Sequence, residues 1–112
     1  MNDSVPPAIR TFVDATNAGD TEAFVANFTE DAHLEDFGRT FTGQEGAASW
    51  NSTDNIGMDA HFDFRSCTLE ADPDAYLLVV EVTSHRFNGT GNFHITVRDD
   101  QISRMVVAPA LD

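Results

Sequence analysis

The chain has 112 residues, 41% of them hydrophobic, and a formal net charge of −13 that comes from 19 acids set against six arginines and no lysine. That length suits one domain over residues 1–112 with a modest core, and the charge repels phosphate backbones and anionic headgroups, so nucleic acid and membrane surfaces are not expected partners. No apolar run approaches the ~20 residues that cross a bilayer, the N-terminal MNDSVPPAIR lacks the basic-then-apolar pattern of a secretion signal, and Cys67 has no second cysteine to pair with. A reducing, cytoplasmic home is therefore expected, and the Asn-x-Thr triplets at Asn27, Asn51 and Asn88 read as chance matches.

Ser4 can cap a first helix, with prolines close behind it in the first turn and Ile9, Phe12, Val13 and Thr16 at helical spacing. Asn17-Ala18-Gly19 ends that helix, and Asp20 caps a short second one carrying Phe24, Val25 and Phe28. Residues 32–37 and 40–42 form a hairpin with Gly38 in its turn; Gly43 to about Asn51 is a third helix bearing Ala47 and Trp50. After Gly57 the pattern alternates strictly, with Met58, Ala60, Phe62 and Phe64 opposed by Asp59, His61, Asp63 and Arg65. Beyond Ser66 the apolar parity moves to Cys67 and Leu69, which calls for a bulge near Arg65–Cys67 that bends the sheet. Asp72-Pro73-Asp74 turns the chain into a long strand, Tyr76–Phe87; Asn88–Gly91 turns it again into Phe93–Arg98, and Asp99-Asp100 into Ile102–Val107. Helices and strands segregate, so the expected class is α+β: a curved antiparallel sheet with three helices packed on its concave face, leaving a cone with a mouth.

Asp36 shares its strand face with Ala32 and Leu34, an odd place for a carboxylate in a chain with so many solvated acids. Burial there would raise its pKa and make it a proton shuttle; the plainer alternative is an acid that caps the Gly38 turn or pairs with Arg39. Glu81, Thr83 and His85 alternate on one face of the long strand. An odd-numbered connection at Asn88–Gly91 turns them toward the cone, whereas an even one turns them outward and sets Val80, Val82 and Ser84 inside. His61 with Asp63 and His33 with Glu35 are metal-like pairs lacking a third ligand, and His94 lies on a polar parity, so a solvated outer face is the better account. Cys67 reads as a small hydrophobe at the bend. The acidic runs TEDAHLED and EADPDA lack the glycine and closing glutamate of a calcium loop. Leu77, Leu78, Val79 and Val80 are apolar on both parities, so the convex face also wants cover, which a second copy packed sheet to sheet would supply.

The stretches FVDATNAGDTEAFVANFTEDAHLEDFGRTFTGQEGAASW and FNGTGNFHITVRDDQISRMVVA, in this order of elements, resemble the NTF2-like superfamily with its cystatin-like α+β fold, and within it the small SnoaL-like proteins. The family hosts isomerases, cyclases, dehydratases, epoxide hydrolases and non-enzymes, so the resemblance specifies fold more than activity. Steroid-isomerase-like members offer an ungapped comparison over residues 12–37, which implies that Asp36 in LEDFG stands where they keep a general base. Phe12 and Phe93 fall where those enzymes keep hydrogen-bond donors for the enolate, and neither can donate. Trp50 matches a pocket aromatic. The residues and the resemblance together give an expected site of Asp36 with His85 assisting, in a pocket of Phe12, Thr16, Phe28, Trp50, Phe62, Phe64 and Phe93, with no metal and no cofactor. The expected homodimer would take a small hydrophobic molecule for proton transfer; the alternative is a non-catalytic ligand-binding or dimerisation module.

Overall fold

The structure is a computed structural model that describes residues 5–108. Ser4, the expected cap, lies outside the described residues. Within them Pro6 takes the N-cap place of helix α1 (Pro7–Ala18), with no side-chain cap. Ile9, Phe12, Val13 and Thr16 are buried along its inner face, as their spacing predicts. Gly19 ends it in the left-handed region at φ 69°, and Asp20 Oδ1 accepts from Ala23 N at 3.1 Å to start α2 (Thr21–Ala26).

That second helix stops short of Phe28, which opens strand β1 (Phe28–Asp36) instead. Asn27 accounts for the change. Its Nδ2 donates to Ala8 O at 2.8 Å and its carbonyl accepts from Ile102 N at 2.8 Å, so the backbone is handed to the sheet four residues earlier than the hydrophobic pattern implied. A two-residue turn leads to β2 (Arg39–Thr42) and then α3 (Gly43–Asp54). A 3₁₀ turn at Ile56–Met58 follows, absent from the sequence reading, because Asn55 O accepts from both Met58 N (2.9 Å) and Ala60 N (3.1 Å). Strands β3 (His61–Leu69), β4 (Ala75–Thr83), β5 (Gly89–Arg98) and β6 (Gln101–Ala108) complete one sheet in the order β2-β1-β6-β5-β4-β3.

Four of the five neighbouring pairs are antiparallel, and β1 with β6 is parallel, which makes the sheet mixed. Topology requires this. The edge strands β2 and β3 are joined by the crossover helix α3 and run the same way; three reversals later β6 arrives parallel to β1. The expected bulge is present between Phe64 and Ser66, with Arg65 as the extra residue. It turns Cys67 toward the core, while Leu69 beyond it stays 66% exposed.

All three helices pack on the concave face, α1 against β3 and β6, α2 against β1, and α3 against β1 and β2. Phe12 is the hub of the core, with ring centroids 5.5 Å from Phe24, 5.5 Å from Phe62 and 5.3 Å from Phe93. Each fully buried phenylalanine contributes roughly 1.5–3 kcal/mol by leaving water. Phe12, Phe24 and Phe28 are all sealed, so the closed end of the cone is filled by side chains.

Candidate functional site

The register of β4 on β5 decides which side chains face the cone. Phe93 sits opposite Leu78, Gly91 opposite Val80 and Gly89 opposite Val82, so the inner face carries Leu78, Val80 and Val82. This is the even arrangement. Strand β4, expected to run to Phe87, ends at Thr83. Ser84 Oγ donates to Phe87 O (2.8 Å) and accepts from Arg86 N (3.1 Å) and Phe87 N (2.8 Å), while Asn88 Oδ1 accepts from Ser84 N (3.2 Å). Side chains thus take over the backbone's hydrogen bonds and fold residues 84–88 into a tight loop.

His85 is corrected accordingly. Its side chain is 73% exposed, with Nδ1 3.6 Å from Asp59, and it does not line the cavity. Glu81 shares that outer face, where Thr90 Oγ1 donates to it at 3.2 Å. Burial of the apolar parity forces the polar one outward.

A cavity of about 350 Å³ opens at the unfilled end of the cone. Its buried wall includes Asp36, Trp50, Asn55, Phe62, Val82 and Phe93, and its exposed rim includes Phe37, Arg39, Arg86 and Phe87. Of the expected pocket residues, Trp50, Phe62 and Phe93 line it. Phe12, Thr16 and Phe28 are buried behind the wall, and Phe64 is half-buried against the core away from it. The aromatic wall is a contact set, with centroids 5.6 Å apart for Phe62–Phe93 and 6.5 Å for Trp50–Phe93.

Asp36 is the carboxylate of this wall and only 6% exposed. It ends β1, where alternation with Ala32 and Leu34 carries it inward. Its Oδ2 accepts from Trp50 Nε1 at 3.0 Å and pairs with Arg39, three residues on across the turn. Both partners are hydrogen-bond donors. Oδ1 has no hydrogen-bond partner among the described residues. Asp36 therefore does pair with Arg39, as the plainer alternative held, and it also faces the cavity.

Arg39 continues to Asp54 at the end of α3, with Nη2 2.9 Å from Oδ1 and Nη1 3.2 Å from Oδ2, and Arg86 from the 84–88 loop closes on the same Oδ1. The Asp54 side chain is 5% exposed. Burial pushes its carboxyl up, but hydrogen bonds from Arg39 and Thr53 and the charges of Arg39 and Arg86 outweigh this and hold it below its ordinary value. Two carboxylates and two guanidiniums thus join β1, β2, α3 and the 84–88 loop around the mouth.

Sequence reasoning missed Asp54, Asn55 and Arg86. The first two lie beyond the expected end of α3 and the third inside an expected strand. The Arg39 pairing was visible from its spacing to Asp36. Outside the cavity, His33 lies 2.8 Å from Glu35, His61 3.4 Å from Asp63 and His94 3.0 Å from Glu70. Among the described residues no three His, Cys, Asp or Glu side chains are grouped to hold a metal, and no helix is long and apolar enough to cross a membrane.

A helix-covered, curved, unclosed sheet with a lined hollow defines the NTF2-like, cystatin-like α+β class. The chain belongs to the SnoaL-like domain family, whose model matches residues 9–105. Comparison with curated proteins finds no match. Among solved structures it is similar to a candidate polyketide cyclase from Sinorhizobium meliloti, with 24% identity over 94% of this chain and 96% of that one and a TM-score of 0.82. A candidate ketosteroid isomerase from Kribbella flavida has 21% identity over 94% and 78% of the two chains and a TM-score of 0.74. A Mycobacterium tuberculosis protein solved with estradiol-17β-hemisuccinate has 18% identity over 96% of each chain and a TM-score of 0.78. At these identities the likeness is one of fold.

Proposed function

We propose that the chain works as a single SnoaL-like domain that holds a small hydrophobic molecule in the cone, with Asp36 as general base for proton transfer within it. The carrying observation is the buried Asp36 carboxylate in an aromatic wall, with Oδ2 fixed by Trp50 and Arg39 and Oδ1 left without a partner among the described residues. A base needs a held orientation and a free lone pair, and this arrangement supplies both. A cavity of about 350 Å³ falls at the small end of the roughly 300–1,000 Å³ typical of small-molecule sites. The steroid ester held by the M. tuberculosis relative supports the ligand class.

The test is deuterium exchange. Apolar cyclic ketones such as 2-decalone are incubated with the protein in D₂O, and loss of their α-hydrogens is followed by proton NMR. Asp36 should accelerate exchange roughly 10²-fold over buffer. Asp36→Asn should abolish the acceleration while ketone binding, read by the fluorescence of the lone tryptophan, persists. Ketone binding with no acceleration in the wild type would end the catalytic role.

A second reading, binding without turnover, is favoured by two observations. Arg39 holds the carboxylate ionically, and Phe12 and Phe93, which take the donors' places, are buried aromatic rings. Both readings require an occupied cavity, and Gly91→Val tests that. A Cβ there meets Phe93 Cε2 and Val82 Cγ2 at 3.0 Å, so the larger side chain fills the wall and should abolish probe binding.

The domain acts as a homodimer through the convex sheet face, where Leu77, Val79 and Val106 stand half-buried. A cytoplasmic location fits its lone thiol, Cys67, which burial pushes up out of the reactive range.

A further inference from the structure

Asn55 carries an acceptor that no described residue answers. Its Nδ2 commits both protons, to Thr16 Oγ1 at 2.9 Å and to Asn51 Oδ1 at 3.0 Å. The neighbours fix this orientation. Thr16 Oγ1 donates to Phe12 O at 2.9 Å and so faces Asn55 as an acceptor, and Asn51 Oδ1 also takes the Ile56 N–H at 3.3 Å. A flipped Asn55 amide would set oxygen against two acceptors. Asn55 is 0% exposed, and its Oδ1 is buried without a partner among the described residues. Such an atom is costly to leave unmet. Yet Asn55 forms part of the cavity wall.

The rest of the wall sharpens the point. The Trp50 N–H is spent on Asp36, and the Ser84 hydroxyl is spent within its own loop. Among the described residues, the unspent side-chain polar atoms carried by the buried wall residues are therefore acceptors, Asp36 Oδ1 and Asn55 Oδ1. We infer that Asn55 is a specificity-determining residue whose Oδ1 accepts a hydrogen bond from a hydroxyl or N–H on the bound molecule, so that the cavity selects hydroxylated alicyclic ligands over their ethers and hydrocarbons. The inference deepens the cavity reading and rests on it. It requires the oxygen, shielded in this structure, to be uncovered as the ligand seats. A site with a buried acceptor discriminates strongly against analogues that lack the donor.

Because Asn55 also holds the end of α3, the test leaves it in place and varies the probe. Trans-2-decalol, its methyl ether and trans-decalin are titrated by the fluorescence of Trp50, in the wild type and in Asp36→Asn. The alcohol should bind about tenfold or more tighter than the ether in both proteins, and the Asn55 side-chain amide resonances should move with the alcohol and not with the ether. Equal affinities overturn the inference and leave a hydrophobic cavity standing. So does a preference that vanishes in Asp36→Asn while the Asn55 resonances stay still, because Asp36 is then the acceptor. Failure of all three probes to bind overturns the inference together with the cavity reading.

Discussion

Asp54 shows how one side chain can anchor a site while touching none of its chemistry. Its carboxylate is buried, bonded to Arg39 and Arg86, and it fixes the guanidinium that fixes Asp36. Replacement by asparagine leaves two cations facing a neutral amide and should cost roughly 2 kcal/mol at neutral pH. The pH dependence follows from the downward shift. The folded carboxyl sits below its ordinary 3.8, so its contribution is complete above that value and lost as pH falls below it through the folded value. Urea melts of the wild type and Asp54→Asn should therefore differ at pH 7 and converge below about pH 3.8; a gap that stays constant into strong acid would refute this. Asp36, by contrast, could be picked out by parity alone, since it occupies an apolar face two residues after Leu34. Its bond to Trp50 could not, because the two lie 14 positions apart on different elements.

The β1–β2 turn, the element that carries Asp36 and Arg39, is strained. Phe37 has φ 49° and Gly38 φ 88°, so both central residues take the left-handed region. A phenylalanine pays a steric cost there that asparagine avoids, and Asn-Gly is the preferred pair for such two-residue turns. Phe37 is 65% exposed, so little burial offsets the strain. Phe37→Asn should raise stability by about 1 kcal/mol, read as a higher melting temperature; a lower one would show that the ring packs in solution. The same substitution removes an aromatic from the cavity rim and should weaken decalol binding. The outlines of α1, α3, β3 and the bulge followed from periodicity, because half-buried elements advertise their buried face. The short loop at 84–88 did not. Arg86 and Phe87 look like strand residues, and only the local bonds of Ser84 and Asn88 stop β4 at Thr83.

At the scale of the molecule, the convex face and the net charge work against each other. Across adjacent strands Leu77 pairs with His94 and His94 with Val106, a half-apolar row that a second copy would cover. Each copy carries a formal net charge of −13. Light scattering should give twice the chain mass, the dimer should tighten as added salt screens the repulsion, and Val79→Arg should yield monomers with unchanged secondary structure. A wild-type monomer at micromolar concentration would remove the interface. The linear pattern of residues was enough for the fold class, the family likeness, three helices on a curved sheet, the bend at Arg65 and an inward Asp36. Those features depend on periodicity and on contacts within single elements. The outward turn of His85, the parallel pairing of β1 with β6, the extension of the Asp36–Arg39 pair to Asp54 and Arg86, and the unanswered oxygen of Asn55 came from the folded chain. Each depends on how distant segments register against one another, and a shift of one residue reverses which side chains face the hollow.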